Sequence, residues 1–176
     1  LSAAAEDQRP ARPNIVLMMA DDMGIGDTSA YLGVRLAPDA KPISRTLRTP
    51  QLDAFAREAL LFTDAYAPAS MCSATRYSLL TGRFAHRSYL KYQGWIPHGP
   101  NTPMIQRELS TLPEMLQSKG YRTAAIGKYH VGMAFDDGYG QPADEFDYQD
   151  VDFTKPLLDG PTHHGFHEFF GVPGNT

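Results

Sequence analysis

The first strong apolar signal is "NIVLMMA", Asn14 to Ala20, a short continuous run whose length suits a buried strand of a parallel sheet. It stops at Asp21-Asp22, and Gly24 and Gly26 follow as residues that permit a turn. An irregular stretch from 29 to 48 carries Pro38 and Pro42. "TPQLDAFAREAL" then switches to helical period, with Leu52, Phe55, Ala56, Ala59 and Leu60 on one face. Thr49 predicts the N-cap and Pro50 the first helical position. "LLFTDAY" predicts a strand running into the loop "APASM", and a second helix is predicted from Ser73 to Thr81, stopped by Gly82. In "STLPEMLQSKG", Thr111 and Glu114 have capping-box spacing and Gly120 closes the helix. "YRTAAIG" reads as another parallel strand, with Lys128 and His130 directly after it. Helices alternating with short apolar strands predict an α/β fold, a mainly parallel sheet flanked by helices.

In such sheets ligands bind at the carboxyl ends of the strands, which is where Asp21-Asp22 and Lys128/His130 fall. The two carboxylates are hard oxygen donors, suited to Ca²⁺ or Mg²⁺ more than to zinc, and without a cation they repel each other. An "ADDMG" turn is equally an ordinary solvent-facing turn. Lys128 and His130, one residue apart, share a face if the chain there is extended. A lysine grips an anionic oxygen and a histidine moves protons near neutral pH.

The chain has 176 residues and a single cysteine, Cys72, so no internal disulfide forms. Cys72 stands at the start of a predicted helix, where the macrodipole and free N–H groups favour an anion or a thiolate. Arg76, one turn on, shares its face and offers a planar fork to a tetrahedral oxyanion. The competing reading is an inert, buried thiol. Net charge is -4, which gives no general pull toward nucleic acid. No apolar run approaches the length of a membrane span.

Residues 1–12 read as a disordered tail or the remnant of an export signal, because Ala3 and Ala5 make an A-x-A pattern. Export to a periplasmic, extracellular or other secretory compartment follows from that pattern. The acidic, aromatic segment from Phe135 to Phe153 reads as a long surface loop without EF-hand spacing. His163, His164 and His167, in "HHGFHEFFG", read as part of a loop packed on aromatics rather than a metal cluster. Tyr89, Tyr92, Trp95 and His98 are candidates for lining a sugar or aryl site, with ordinary loop packing as the alternative.

Four stretches carry a resemblance: "RPNIVLMMADDMGIGD", "TPQLDAFAREALLFTDAYAPASMCSATRYSLLTGR", "GYRTAAIGKYHVG" and "HGFHEFFG". In order and spacing they resemble the formylglycine-dependent sulfatases of the alkaline phosphatase superfamily. The family signature, C-x-P/A-x-R before an L-T-G-R-like run, stands as Cys72 to Arg76 and Leu80 to Arg83. Two positions depart from the commoner pattern: Ala74 for proline and Tyr129 for tryptophan.

The resemblance implies an alkaline-phosphatase-like fold, incomplete here, with residues 13–176 as the N-terminal part of a catalytic domain. It implies that a formylglycine-generating or other sulfatase-maturing enzyme oxidises Cys72 to Cα-formylglycine. The hydrated aldehyde then attacks the sulfur of a sulfate ester, and a covalent sulfo-enzyme intermediate follows. Asp21, Asp22 and the modified Cys72 would be ligands of Ca²⁺, with Mg²⁺ second. Arg76 would fix the diol, Lys128 would hold a sulfate oxygen, and His130 would help deprotonate the second hydroxyl. The substrate would be a sulfated small molecule or polysaccharide. Further metal ligands of the family, an Asp-Asn pair, a second lysine and a leaving-group histidine have no counterpart here, so the 176 residues alone should turn over little. A phosphonate or phosphate ester hydrolase of the same superfamily, and a non-catalytic calcium-dependent binding protein with unmodified Cys72, are the alternatives.

Overall fold

The computed structural model describes residues 12–34, 39, 41–43, 47–89, 99–144 and 147–174. The tail before residue 12, and Tyr92, Trp95 and His98, lie outside them. The chain forms two compact units, Leu1–Leu61 and Phe62–Thr176.

The first unit is built on helix α1, Pro50–Glu58. Proline at its first position fits because that residue has no helical acceptor to donate to. Thr49 stands at the N-cap, but its hydroxyl makes no cap bond. It joins a cluster in which the Ser29 hydroxyl reaches both oxygens of Asp53 at 2.8 and 2.7 Å, and Thr28 lies 2.9 Å from Thr49. These short hydroxyl bonds fasten the turn at 29–31 to the first turn of α1. Leu52, Phe55 and Ala56 of the predicted stripe lie on α1, but the helix ends before Ala59 and Leu60, and Phe55 is 66% exposed. The predicted strand at 14–20 is not formed: it pairs with no neighbour among the described residues, and Val16 and Met18 are exposed. An apolar run becomes a strand only when a partner takes its N–H and C=O groups.

The second unit holds the core. Helix α2 spans Cys72–Thr81, one residue longer than predicted, and Gly82 ends it in the left-handed conformation (φ 66°). Helix α3 spans Leu112–Ser118 with the predicted capping box between Thr111 and Glu114. The sheet has two described strands, β1 (Ala124–Lys128) and β2 (Glu168–Val172), paired in parallel with Ala124 opposite Glu168 and Lys128 opposite Val172. "LLFTDAY" is irregular rather than a strand, and β2 lies where a loop was expected. Tyr77 of α2 packs with Met104, Ile105, Tyr129, Val131 and Met133 in one buried cluster. That cluster seats α2 beside the segment that leaves β1.

The acidic segment is largely a loop, as expected, organised by its own side chains. Asp136 is buried and accepts from Gly138 N and Gly140 N, and Phe135 meets Tyr148 and Phe153 edge-on. Of the histidines in "HHGFHEFFG", His164 pairs with Asp159 and His167 Nδ1 accepts from Thr123 N at 3.1 Å.

Candidate active site

Cys72 is the first residue of α2, partly buried, with Met71 at the N-cap. Met71 has no side-chain cap bond, so it does not take up the first-turn N–H groups around position 72. Arg76 lies one turn along on the same face. One Arg76 guanidinium nitrogen, Nη1, donates to the carbonyl of Lys128 at the end of β1. This bond spans 52 residues and ties two sequence motifs into one place. It also commits one guanidinium donor to backbone.

Beyond Lys128 the chain does not stay extended. His130 has φ 52°, so Lys128 and His130 do not share a strand face as the sequence reading expected. The ladder runs two steps past the strands: Tyr129 N donates to Val172 O at 3.0 Å and His130 N to Pro173 O at 2.8 Å. The turn at His130 then buries the imidazole, 3% exposed, against Gly174. A Cβ at position 174 would come within 3.1 Å of the ring. A histidine in this conformation is uncommon and persists where its surroundings over-determine it.

Tyr129, between the two, is buried and meets Phe169 edge-on with ring centroids 6.0 Å apart. Burial first, and the Asp159 charge second, push its hydroxyl well above the usual tyrosine range. Burial raises the Asp159 carboxyl as well. The hydrogen bond from His164, the His164 and Arg107 charges and the Gly160 N–H outweigh it and leave Asp159 below its ordinary value. A depressed carboxylate stabilises the fold above its unfolded value of 3.8 and loses that contribution as pH falls through the lower folded value. Urea midpoints measured above and below pH 3.8 should therefore drop on acidification, and Asp159→Asn should flatten that part of the profile.

In the first unit, Asp21 and Asp22 sit at an exposed bend. The turn is made by Asp22 itself, at φ 56°, rather than by Gly24 or Gly26. Gly24 has extended backbone and its N–H donates to Asp27 at 2.7 Å. Aspartate tolerates the left-handed region better than most side chains, which a search for glycine misses. Among the described residues no group of three or more His, Cys, Asp or Glu side chains converges for a metal ion. The two carboxylates fit calcium in chemical kind, as exposed hard oxygens, and would supply part of the roughly six to eight oxygens it takes.

The Sulfatase family model matches residues 13–176. The chain belongs to the sulfatase family. It is 34% identical to human arylsulfatase H over 172 residues, 94% of this chain and 25% of that protein. It is 35% identical to human arylsulfatase A, covering 98% of this chain and 27% of that protein. A solved structure described as metabolism of multiple glycosaminoglycans by Bacteroides thetaiotaomicron superposes with a TM-score of 0.64 at 27% identity, over 88% of this chain and 27% of that one. The α/β class read from the sequence is thus the sulfatase fold, and the chain spans about a quarter of the length of these relatives. No helix among the described residues is long and apolar enough to cross a membrane.

Proposed function

We propose that this chain is the nucleophile-bearing part of an enzyme that hydrolyses sulfate esters, with Cys72 converted to formylglycine by a sulfatase-maturing enzyme. The observation that carries the reading is the hydrogen bond from Arg76 to the Lys128 carbonyl. It brings the Cys-x-Ala-x-Arg helix start and the Lys-Tyr-His turn together, in a chain whose relatives are named arylsulfatases. When formed, the hydrated formylglycine supplies an oxygen nucleophile at a helix N-terminus.

The chain's own residues then divide the work. The N–H groups of the first turn of α2 favour negative charge at position 72. Arg76 holds its fork on that face and offsets charge that develops on oxygen in the transition state. Lys128 places an ammonium at the end of β1 for a sulfate oxygen. His130, held in its turn by the Pro173 carbonyl and Gly174, takes the proton that must leave before the sulfate is expelled. Asp21 and Asp22 would hold Ca²⁺, or second Mg²⁺, which supplies positive charge against sulfate oxygens when bound. The substrate is a sulfated small molecule or polysaccharide, met in an exported compartment.

The test compares 4-nitrophenyl sulfate with 4-nitrophenyl phosphate on the full-length protein matured in its host, before and after chelation. The expected result is preferential sulfate release that EDTA suppresses and Ca²⁺ restores. Faster turnover of the phosphate would assign the site to phosphate ester hydrolysis. Calcium binding with neither ester cleaved would favour a binding role.

A further inference from the structure

The buried Asp159–His164 pair lies outside every residue assigned above, and its place in the fold is specific. We propose that Asp159 and His164 are positioning residues for His130, fixing the partner strand of the segment that holds His130 in its left-handed turn. The inference builds on the sulfatase reading for its kinetic consequences only.

The segment after His130 is clamped along its length. Met104 N donates to Val131 O at 2.8 Å and Thr102 N to Met133 O at 3.1 Å. A Cβ on Gly132 would lie 1.8 Å from the Thr102 carbonyl oxygen, so the backbones are in contact there. Ala134 bridges Asn101 on one side and Asp159 on the other, with Ala134 N to Asp159 O at 2.9 Å and Leu158 N to Ala134 O at 2.8 Å. The turn at His130 therefore has two fixed ends: Val172 and Pro173 before it, Asn101–Met104 and Asp159 after it.

Asp159 is in turn held through its side chain. His164 Nε2 lies 2.8 Å from Asp159 Oδ1, with side chains 3% and 10% exposed. Arg107 Nε is 3.5 Å from Oδ2, and the same guanidinium donates to the Leu158 carbonyl. His164 is anchored through its own carbonyl, which accepts from the Thr111 hydroxyl at the cap of α3 at 2.7 Å. A buried polar pair is a weak source of net stability, since apolar side chains of similar size serve as well or better. What it supplies is position, because the buried carboxylate and imidazole hold one separation, 2.8 Å. Here it fixes Asp159, the bridge partner of Ala134, four residues beyond His130 on the segment that leaves the turn. The buried Tyr129 hydroxyl, in the residue preceding His130, also feels the charge of the same carboxylate.

The test uses the full-length protein labelled with carbon-13 histidine, the His130 signals being assigned by His130→Asn. Asp159→Asn should move the His130 ring signals and lower kcat on 4-nitrophenyl sulfate by roughly tenfold or more, with KM changed less than about twofold. His164→Gln, which keeps a donor toward Asp159, should recover most of kcat. If Asp159→Asn fails to fold, the Asp159→Leu/His164→Leu double variant, which leaves no buried charge, is measured in the same way. A lowered thermal midpoint with unmoved His130 signals and unchanged kcat would make the pair merely structural and overturn the proposal. Should the unsubstituted protein hydrolyse no sulfate ester, the sulfatase reading fails by itself. The ring signals then decide alone: movement upholds the positioning role and constancy overturns it.

Discussion

Replacing Cys72 by alanine should abolish sulfate-ester hydrolysis by the full-length protein, with kcat lowered on the order of 10⁴-fold or more. Position 72 opens α2, where helix N-terminal N–H groups favour an anion and where Arg76 shares the face. Alanine keeps the helix, since it is the best helix former, so folding should survive while the nucleophile is lost. Cys72→Ser separates chemistry from structure further. A serine has one hydroxyl, so it can accept the sulfuryl group but has no second hydroxyl from which to expel it. The expected result is at most a single stoichiometric burst of alcohol with no steady state. Steady turnover by Cys72→Ala would remove position 72 from the mechanism.

The second large effect is structural. Gly171→Ala should destabilise the second unit by on the order of 3 kcal/mol and disorder the turn at His130. Gly127 and Gly171 face each other in the β1–β2 register. A Cβ on residue 171 would lie 1.8 Å from the Gly127 carbonyl oxygen and 2.7 Å from its carbon. Neither atom is the end of a flexible side chain, so only separation of the strands relieves the overlap. The two bonds that continue the ladder, Tyr129 to Val172 and His130 to Pro173, begin one residue further on. Urea unfolding gives the stability change. A variant within about 0.5 kcal/mol of the parent would show that the strands do not approach so closely.

The sequence was most legible where structure is local. Thr111, Glu114 and Gly82 act within one turn of their own helices, so α3 and the end of α2 follow from spacing alone. Strands were legible only where a partner exists. Residues 14–20 and 60–66 have strand composition but find no pairing among the described residues, whereas "EFFGV" pairs with β1 despite its loop-like Gly and Phe content. Its glycine marked close backbone approach rather than a turn, a distinction that needs the opposing Gly127 to be seen.

The site divides in the same way. The motifs around Cys72, Arg76, Lys128 and His130 were visible, but the joining of Arg76 to the Lys128 carbonyl was not, because the contact is to backbone 52 residues away. The left-handed turns at Asp22 and His130 were hidden for another reason: each is made by a residue with a side chain, where the sequence pointed to Gly24 and Gly26 in the first case and to an extended chain in the second. Asp159 and His164 left no sequence signal, since their pairing depends on two loops folding against each other.

The central claim is that position 72 is not a cysteine when the protein works. It is tested most directly by the mass of the tryptic peptide Glu58 to Arg76 from protein made in its native host. The account predicts the mass given by loss of H₂S and gain of one oxygen, the signature of an aldehyde at position 72. An intact cysteine, in a host that carries an active maturing enzyme, would contradict the account.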